Sequence, residues 1–239
     1  MKLVTVGDVM VDVVADRLPT AGERAHGRVD LRAGGSAVNA ALVARSLGAE
    51  VQVVGRVGRD PAGDLVVTAL EERGVDARLA RDGQLPTGTA IALRDGVVAD
   101  RGANAHLSVG DLPSPLRGDA LLVSGFALFQ EGSRDAALAA LERFEGPWTA
   151  VDLASPRLAR LDFNARVVFA TQQEAEAVPG LEERFELVCL KGGYGVERKS
   201  PFGAGDAFAA AFLVALAGGA EVAKARALAV EAAATAARA

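Results

Sequence analysis

Apolar residues in this chain fall into short unbroken runs, separated by longer stretches in which they recur every three or four positions. The runs at 3–6, 51–54, 121–123, 149–153, 166–169 and 187–190 have the length and continuity of strands buried on both faces. Residues 9–14 read as an extension of the first run beyond Gly7-Asp8. Helical spacing occupies 36–47, stopped by Gly48, then 62–73, closed by Gly74, and 134–144, where Leu138 and Leu141 share a face. Two more helices are expected at 205–217 and 221–237, the last strongly biased to Ala. Strands alternating with helices imply right-handed crossovers. The pattern therefore predicts an α/β fold whose mostly parallel central sheet is covered on both faces. Ligands in such sheets sit beyond the carboxyl ends of the strands, which is where the glycine-rich loops fall.

Two stretches break this rhythm. Residues 12–33 and 87–101 carry short alternating segments without long helices, and are expected to form a small β lid on a single domain spanning 1–239. Composition changes the picture little. Half of the residues are hydrophobic and only 5% aromatic, so the core must be built from Ala, Val and Leu. The net charge of -5 argues against a nucleic-acid partner, which needs a concentrated basic face. The single cysteine, Cys189, lies in an apolar run and reads as a small buried hydrophobe. No stretch approaches membrane-spanning length, so a cytoplasmic protein with no membrane partner is expected.

The candidate chemistry begins at Gly203-Ala204-Gly205-Asp206, which opens the Ala-rich helix. The first N–H groups of a helix have no internal partner, and the macrodipole adds partial positive charge there, so such a turn suits an anion. Asp206 could share it with a bound phosphate and act as a base; alone, the motif reads rather as a glycine-rich turn capped by Asp. Gly34-Gly35-Ser36 opens another helix, with Asn39 one turn inside it, able to donate to and accept from a hydroxyl. Capping by Ser36 and an ordinary polar role for Asn39 are the plain alternatives. Asp8 and Asp12 follow the first strand, either as acceptors for a polyol or as solvated loop acids.

Taken in order, these residues resemble the ribokinase-like (pfkB) family of carbohydrate kinases. The resemblance runs through almost the whole chain: Gly7 with Asp12, Pro19 to Glu23, Gly34-Gly35 with Asn39, Leu47-Gly48-Ala49, Val57 to Asp60 with Gly63, Gly74-Val75-Asp76, Thr87-Gly88, Gly102-Ala103-Asn104, and Gly203 to Asp206. It implies a Rossmann-like three-layer sandwich with a β lid, and ATP-dependent phosphorylation of a sugar or sugar acid, with Mg²⁺ at the phosphates. By the same resemblance Asp206 is the catalytic base, and the backbone of Gly203, Ala204 and Gly205 is the anion hole. Asp12, Gly34, Gly35 and Asn39 match sugar-contacting positions. Lys191, Gly193 and Gly195 match the nucleotide-side loop, and Glu174 matches an acid that organises water and Mg²⁺. Arg101 suits a carboxylate or phosphate on the substrate, with an exposed lid arginine as the equal alternative.

The chain departs from the family pattern at three places. Thr171 replaces the Asn that precedes Glu174, and Ser200 replaces an Asp used for a monovalent cation, which argues against potassium dependence. Only Val196 to Lys199 join Gly195 to Ser200, where the family has a longer connection. These departures keep open a weakened sugar- or nucleotide-binding protein, beside a nucleoside kinase and a homodimer formed through the lid strands. Neither G-x-x-x-x-G-K-[ST] nor a G-x-G-x-x-G after a strand occurs, and His26 and His106 lack ligand spacing for zinc.

Overall fold

The structure, a computed structural model, describes residues 1–20, 22–93, 96–192, 195 and 202–238. The chain begins with β1 (Lys2–Val6), β2 (Met10–Ala15), β3 (Val29–Gly34), α1 (Ser36–Ser46), β4 (Glu50–Gly58) and α2 (Pro61–Glu71). Then come β5 (Asp76–Asp82), β6 (Thr87–Leu93), β7 (Gly96–Gly102) and two short 3-10 turns, followed by β8 (Ala120–Ser124), α3 (Gly125–Leu128), α4 (Arg134–Arg143) and β9 (Trp148–Asp152). It continues through β10 (Val167–Thr171), α5 (Gln172–Ala177), α6 (Leu181–Arg184), β11 (Leu187–Lys191), α7 (Ala204–Ala217) and α8 (Val222–Arg238). No helix among these residues is long and apolar enough to cross a membrane.

Among the described residues, seven strands form a parallel sheet in the order β11-β10-β9-β8-β1-β4-β5. This is the α/β arrangement that the run pattern predicts. From β1 the chain steps outward through β4 and β5, then returns to the other side of β1 and steps through β8 to β11. The reversal lies between β1 and β8, so a crevice opens beyond Val6 and Ser124, where a ligand has room. A second sheet, in the order β3-β2-β6-β7, stands over that end. β2 pairs with β6 in parallel, while β3 and β7 flank them antiparallel.

Side chains alternate across the large sheet. Leu3, Val51, Val53, Ala150 and Phe169 meet α1, α7 and α8 on one face, and Val4, Val6, Leu121, Val123 and Val168 meet α4 and α6 on the other. With few aromatics available, the first face is closed by small residues. Ala225, Ala229, Ala233 and Ala237 form one buried stripe along α8, which lets α7 and α8 approach closely. Phe169, Phe208 and Phe212 fill the remaining space, the ring of Phe169 meeting that of Phe212 edge-on at 5.5 Å.

Two elements differ from the sequence reading. Residues 9–14 do not extend β1: the chain breaks at Gly7-Asp8-Val9, and β2 joins the small sheet instead. The break is held by Asn104, whose side chain accepts from the Val9 N–H and donates to the Val9 carbonyl, each at 2.8 Å. β5 carries a charged residue at almost every second position; it lies at a sheet edge and gives no continuous apolar run.

Candidate active site

The crevice beyond β1 and β8 holds a cavity of about 420 Å³ between the two sheets, within the range of small-molecule sites. α7 begins at its edge. The residue before it, Gly203, has φ of 81°, a left-handed conformation that glycine adopts without strain. Having no side chain, it leaves the helix start without a side-chain cap. The N–H groups of Ala204, Gly205 and Asp206 are therefore the unpaired first-turn donors of α7. Asp206 lines the cavity and accepts a 3.0 Å hydrogen bond from Nδ2 of Asn39, on α1. Burial pushes the Asp206 carboxyl above its ordinary value, opposed by the Asn39 amide and the nearby Lys191 charge.

Asp12 reaches the same cavity from β2. It is buried, and its Oδ1 has no hydrogen-bond partner. Burial first, and the Asp206 carboxylate second, push its pKa up to about 7, while the Gly35 N–H and Arg32 pull the other way. Gly34 lies behind this carboxylate: a Cβ there would fall 2.1 Å from Asp12 Oδ2. Gly35 lines the cavity with φ of 87°, and a Cβ there would overlap the Asp8 carbonyl at 2.4 Å. Asp8 and Asp12 are both buried, so neither is a solvated loop acid.

Arg101 also lines the cavity, yet its guanidinium is engaged. It grips Asp8 through Nε at 3.2 Å and Nη2 at 2.8 Å, and donates to Ser133 Oγ at 3.1 Å. Several glycine motifs serve the frame of the site rather than the cavity. Asp60 caps α2 by accepting from Gly63 N, and binds Thr87 N at 2.7 Å, so it ties the start of β6 to the large sheet.

A second group of charges lies beneath the start of α7, where β9, β10 and β11 end. The Lys191 ammonium forms an ion pair with Asp152 and lies 3.8 Å from Glu174 Oε2. All three side chains are buried or nearly so, and the ammonium would be 3.5 Å from a Cβ placed on Gly205. Burial pushes Asp152 up, with Lys191 opposing. Lys191 is held above its usual value by Asp152 and Glu174 against its own desolvation. Glu174 also closes the start of α5, where its Oε2 accepts from Thr171 N at 2.8 Å while Thr171 Oγ1 caps Glu174 N. Among the described residues no three acidic, His or Cys side chains converge to hold a metal, and Glu174 meets an ammonium. This donor set does not fit a protein-held magnesium ion. Gly195 is exposed, and Gly193 and Ser200 lie outside the described residues.

The site thus combines an uncapped helix start, a buried carboxylate beside it and a second buried carboxylate with one unpartnered oxygen. The model of the pfkB family of carbohydrate kinases matches residues 1–188. The chain belongs to that family. Among pfkB relatives, the fructokinase of Klebsiella pneumoniae is 32% identical over 149 residues, covering 59% of this chain and 46% of that protein. The ribokinase of Mus musculus is 32% identical over 119 residues, covering 46% and 37%. The chain thus spans less than half the length of these curated relatives. The fold is shared more widely. An aminoimidazole riboside kinase from Salmonella enterica, complexed with aminoimidazole riboside and an ATP analog, superposes with a TM-score of 0.81 at 20% identity. That match covers 100% of this chain and 94% of the other.

The structure brings Asp12, Gly35, Asn39, Arg101, Gly203 and Asp206 to one cavity. It places Lys191 and Glu174 in the charge cluster below instead. The sequence reading missed Asp152 and Phe126. Asp152 ends a buried strand, a position where side chains of α/β proteins meet ligands. Phe126 follows β8 and gave no comparable signal.

Proposed function

We propose that this pfkB protein is an ATP-dependent phosphotransferase acting on a hydroxyl of a small neutral sugar. Asp206 would be the base, and the N–H groups from Gly203 to Gly205 the anion hole. The observation that carries this is the facing pair of carboxylates: Asp206 at the uncapped start of α7, and Asp12 with a buried oxygen that lacks a donor. A buried carboxylate oxygen without a partner is costly, and a substrate hydroxyl supplies the missing donor. With the substrate held by Asp12, another hydroxyl faces Asp206. Its proton passes to the Asp206 carboxylate as its oxygen bonds to the transferred phosphorus and the bond to the ADP leaving group breaks. Charge growing on the phosphoryl oxygens meets the helix N–H groups. Magnesium would arrive as the counter-ion of the ATP phosphates. Within the sugar class, the pairing of Arg101 with Asp8 favours a neutral polyol over a sugar acid.

One observation supports a second reading, a nucleoside kinase. Phe126 lines the cavity with Met10, Val97 and Ala99, giving a flat base something to rest on. An ADP-release assay over neutral sugars, sugar acids and nucleosides tests both. Turnover of a neutral sugar is the expected result. Calorimetric binding of a sugar without ADP release would make the chain a binding protein instead.

The family relationship also bears on assembly. The face of the small sheet turned away from the cavity exposes Leu31 on β3 and, beyond β2, Ile91 and Val98 on β6 and β7, an apolar patch that a second copy of this chain would cover. We expect sedimentation as a dimer at micromolar concentration, and as a monomer for Leu31→Asp/Val98→Asp. A wild-type monomer would remove this proposal.

A further inference from the structure

The group beneath α7 is used by neither the sugar pocket nor the anion hole. Asp152 from the end of β9 and Glu174 from α5 converge on one position, and the Lys191 ammonium fills it. Divalent ions seek such converging carboxylate oxygens, whereas an ammonium is a compact charge with three donors. Burying that ammonium is costly, and two carboxylates offset the cost. Its position is also polar in the useful sense. It lies under Gly205, the middle of the N–H groups at the helix start, so its charge adds to the field already presented there by the helix.

We propose that Lys191 is a built-in cation of this site: its ammonium occupies the place between Asp152 and Glu174 that would otherwise draw a divalent ion, and fixes positive charge beneath the first turn of α7. Lys191 is then a positioning residue. Its effect on the reaction is exerted through the helix start and Asp206, and only this functional meaning rests on the phosphotransferase reading. The occupancy of the pair by an ammonium is independent of it.

The test uses the nucleotide-free full chain and Mn²⁺, followed by electron paramagnetic resonance. Wild type is expected to show no Mn²⁺ site that depends on Asp152. Lys191→Met is expected to bind Mn²⁺ roughly tenfold more tightly or better, and Lys191→Met/Asp152→Asn to lose that site. Asp152-dependent Mn²⁺ binding by wild type overturns the proposal, as does a folded Lys191→Met variant with no gain. If Lys191→Met does not fold, nuclear magnetic resonance of the wild-type lysine Nζ decides. The protonated Lys191 signal should persist unshifted through a Mg²⁺ titration, and its displacement by Mg²⁺ overturns the proposal. Failure of the kinase reading would appear in the substrate assay and leave these ion-binding results untouched.

Discussion

Asp206→Asn should lower kcat by about 10²–10⁴-fold, the usual contribution of a positioned base, while KM for the acceptor and the circular dichroism spectrum should change little. The substitution keeps the shape of the side chain and its contact with Asn39, so the loss isolates proton transfer. The pH profile gives an independent readout. Burial raises the folded pKa of Asp206 above 3.8, and a base works only when deprotonated. Wild-type kcat should therefore fall on the acid side at a pH above that of an ordinary Asp carboxyl, and the residual rate of Asp206→Asn should lack that limb. Retained wild-type turnover would move the base elsewhere, with Asp12 the next candidate, since Asp8, which also lines the cavity, is gripped by Arg101.

How much of this was legible in the sequence depends on what each residue answers to. The buried strands and the two Ala-rich helices were readable because burial on both faces leaves unbroken apolar runs. β5 escaped because an edge strand needs only one apolar face, and its other face carries Asp76, Arg78 and Asp82. Gly203 to Asp206 could be read locally, since a helix opened by glycine has no cap of its own. Asp12 could not. Its burial and its missing donor arise from β3, Gly35 and Asp206 closing around it, all distant in sequence. Lys191 shows the same limit from the opposite side. By resemblance it belongs to a nucleotide-side loop, yet its neighbours come from the end of β9 and from α5, which follows β10. Strand order alone brings Asp152 to it across 39 residues, and no spacing rule along one segment reports that.

Asp12→Asn should weaken the acceptor and strengthen the fold, and the two effects have one cause. Oδ1 of Asp12 is buried without a donor, so in the free protein the charge is a liability. Its folded pKa lies at about 7 against 3.8 for an ordinary Asp. The folded state therefore binds the proton more tightly. That stabilisation is fully present below pH 3.8 and is lost as pH rises through about 7, at about 1.4 kcal/mol for each pH unit between them. Above pH 7 the wild type bears the whole cost. Denaturant midpoints at pH 5 and pH 8 should then differ less for Asp12→Asn than for wild type, with the variant more stable by a few kcal/mol at pH 8. The same substitution removes a charge-assisted hydrogen bond to the substrate, worth about 1.5–3 kcal/mol. KM for the acceptor should rise about 10–100-fold, with a smaller change in kcat. Weaker acceptor binding with no gain in stability at pH 8 would mean that the carboxylate is satisfied in the free protein. The cost of the unpaired oxygen would then not be what the substrate relieves.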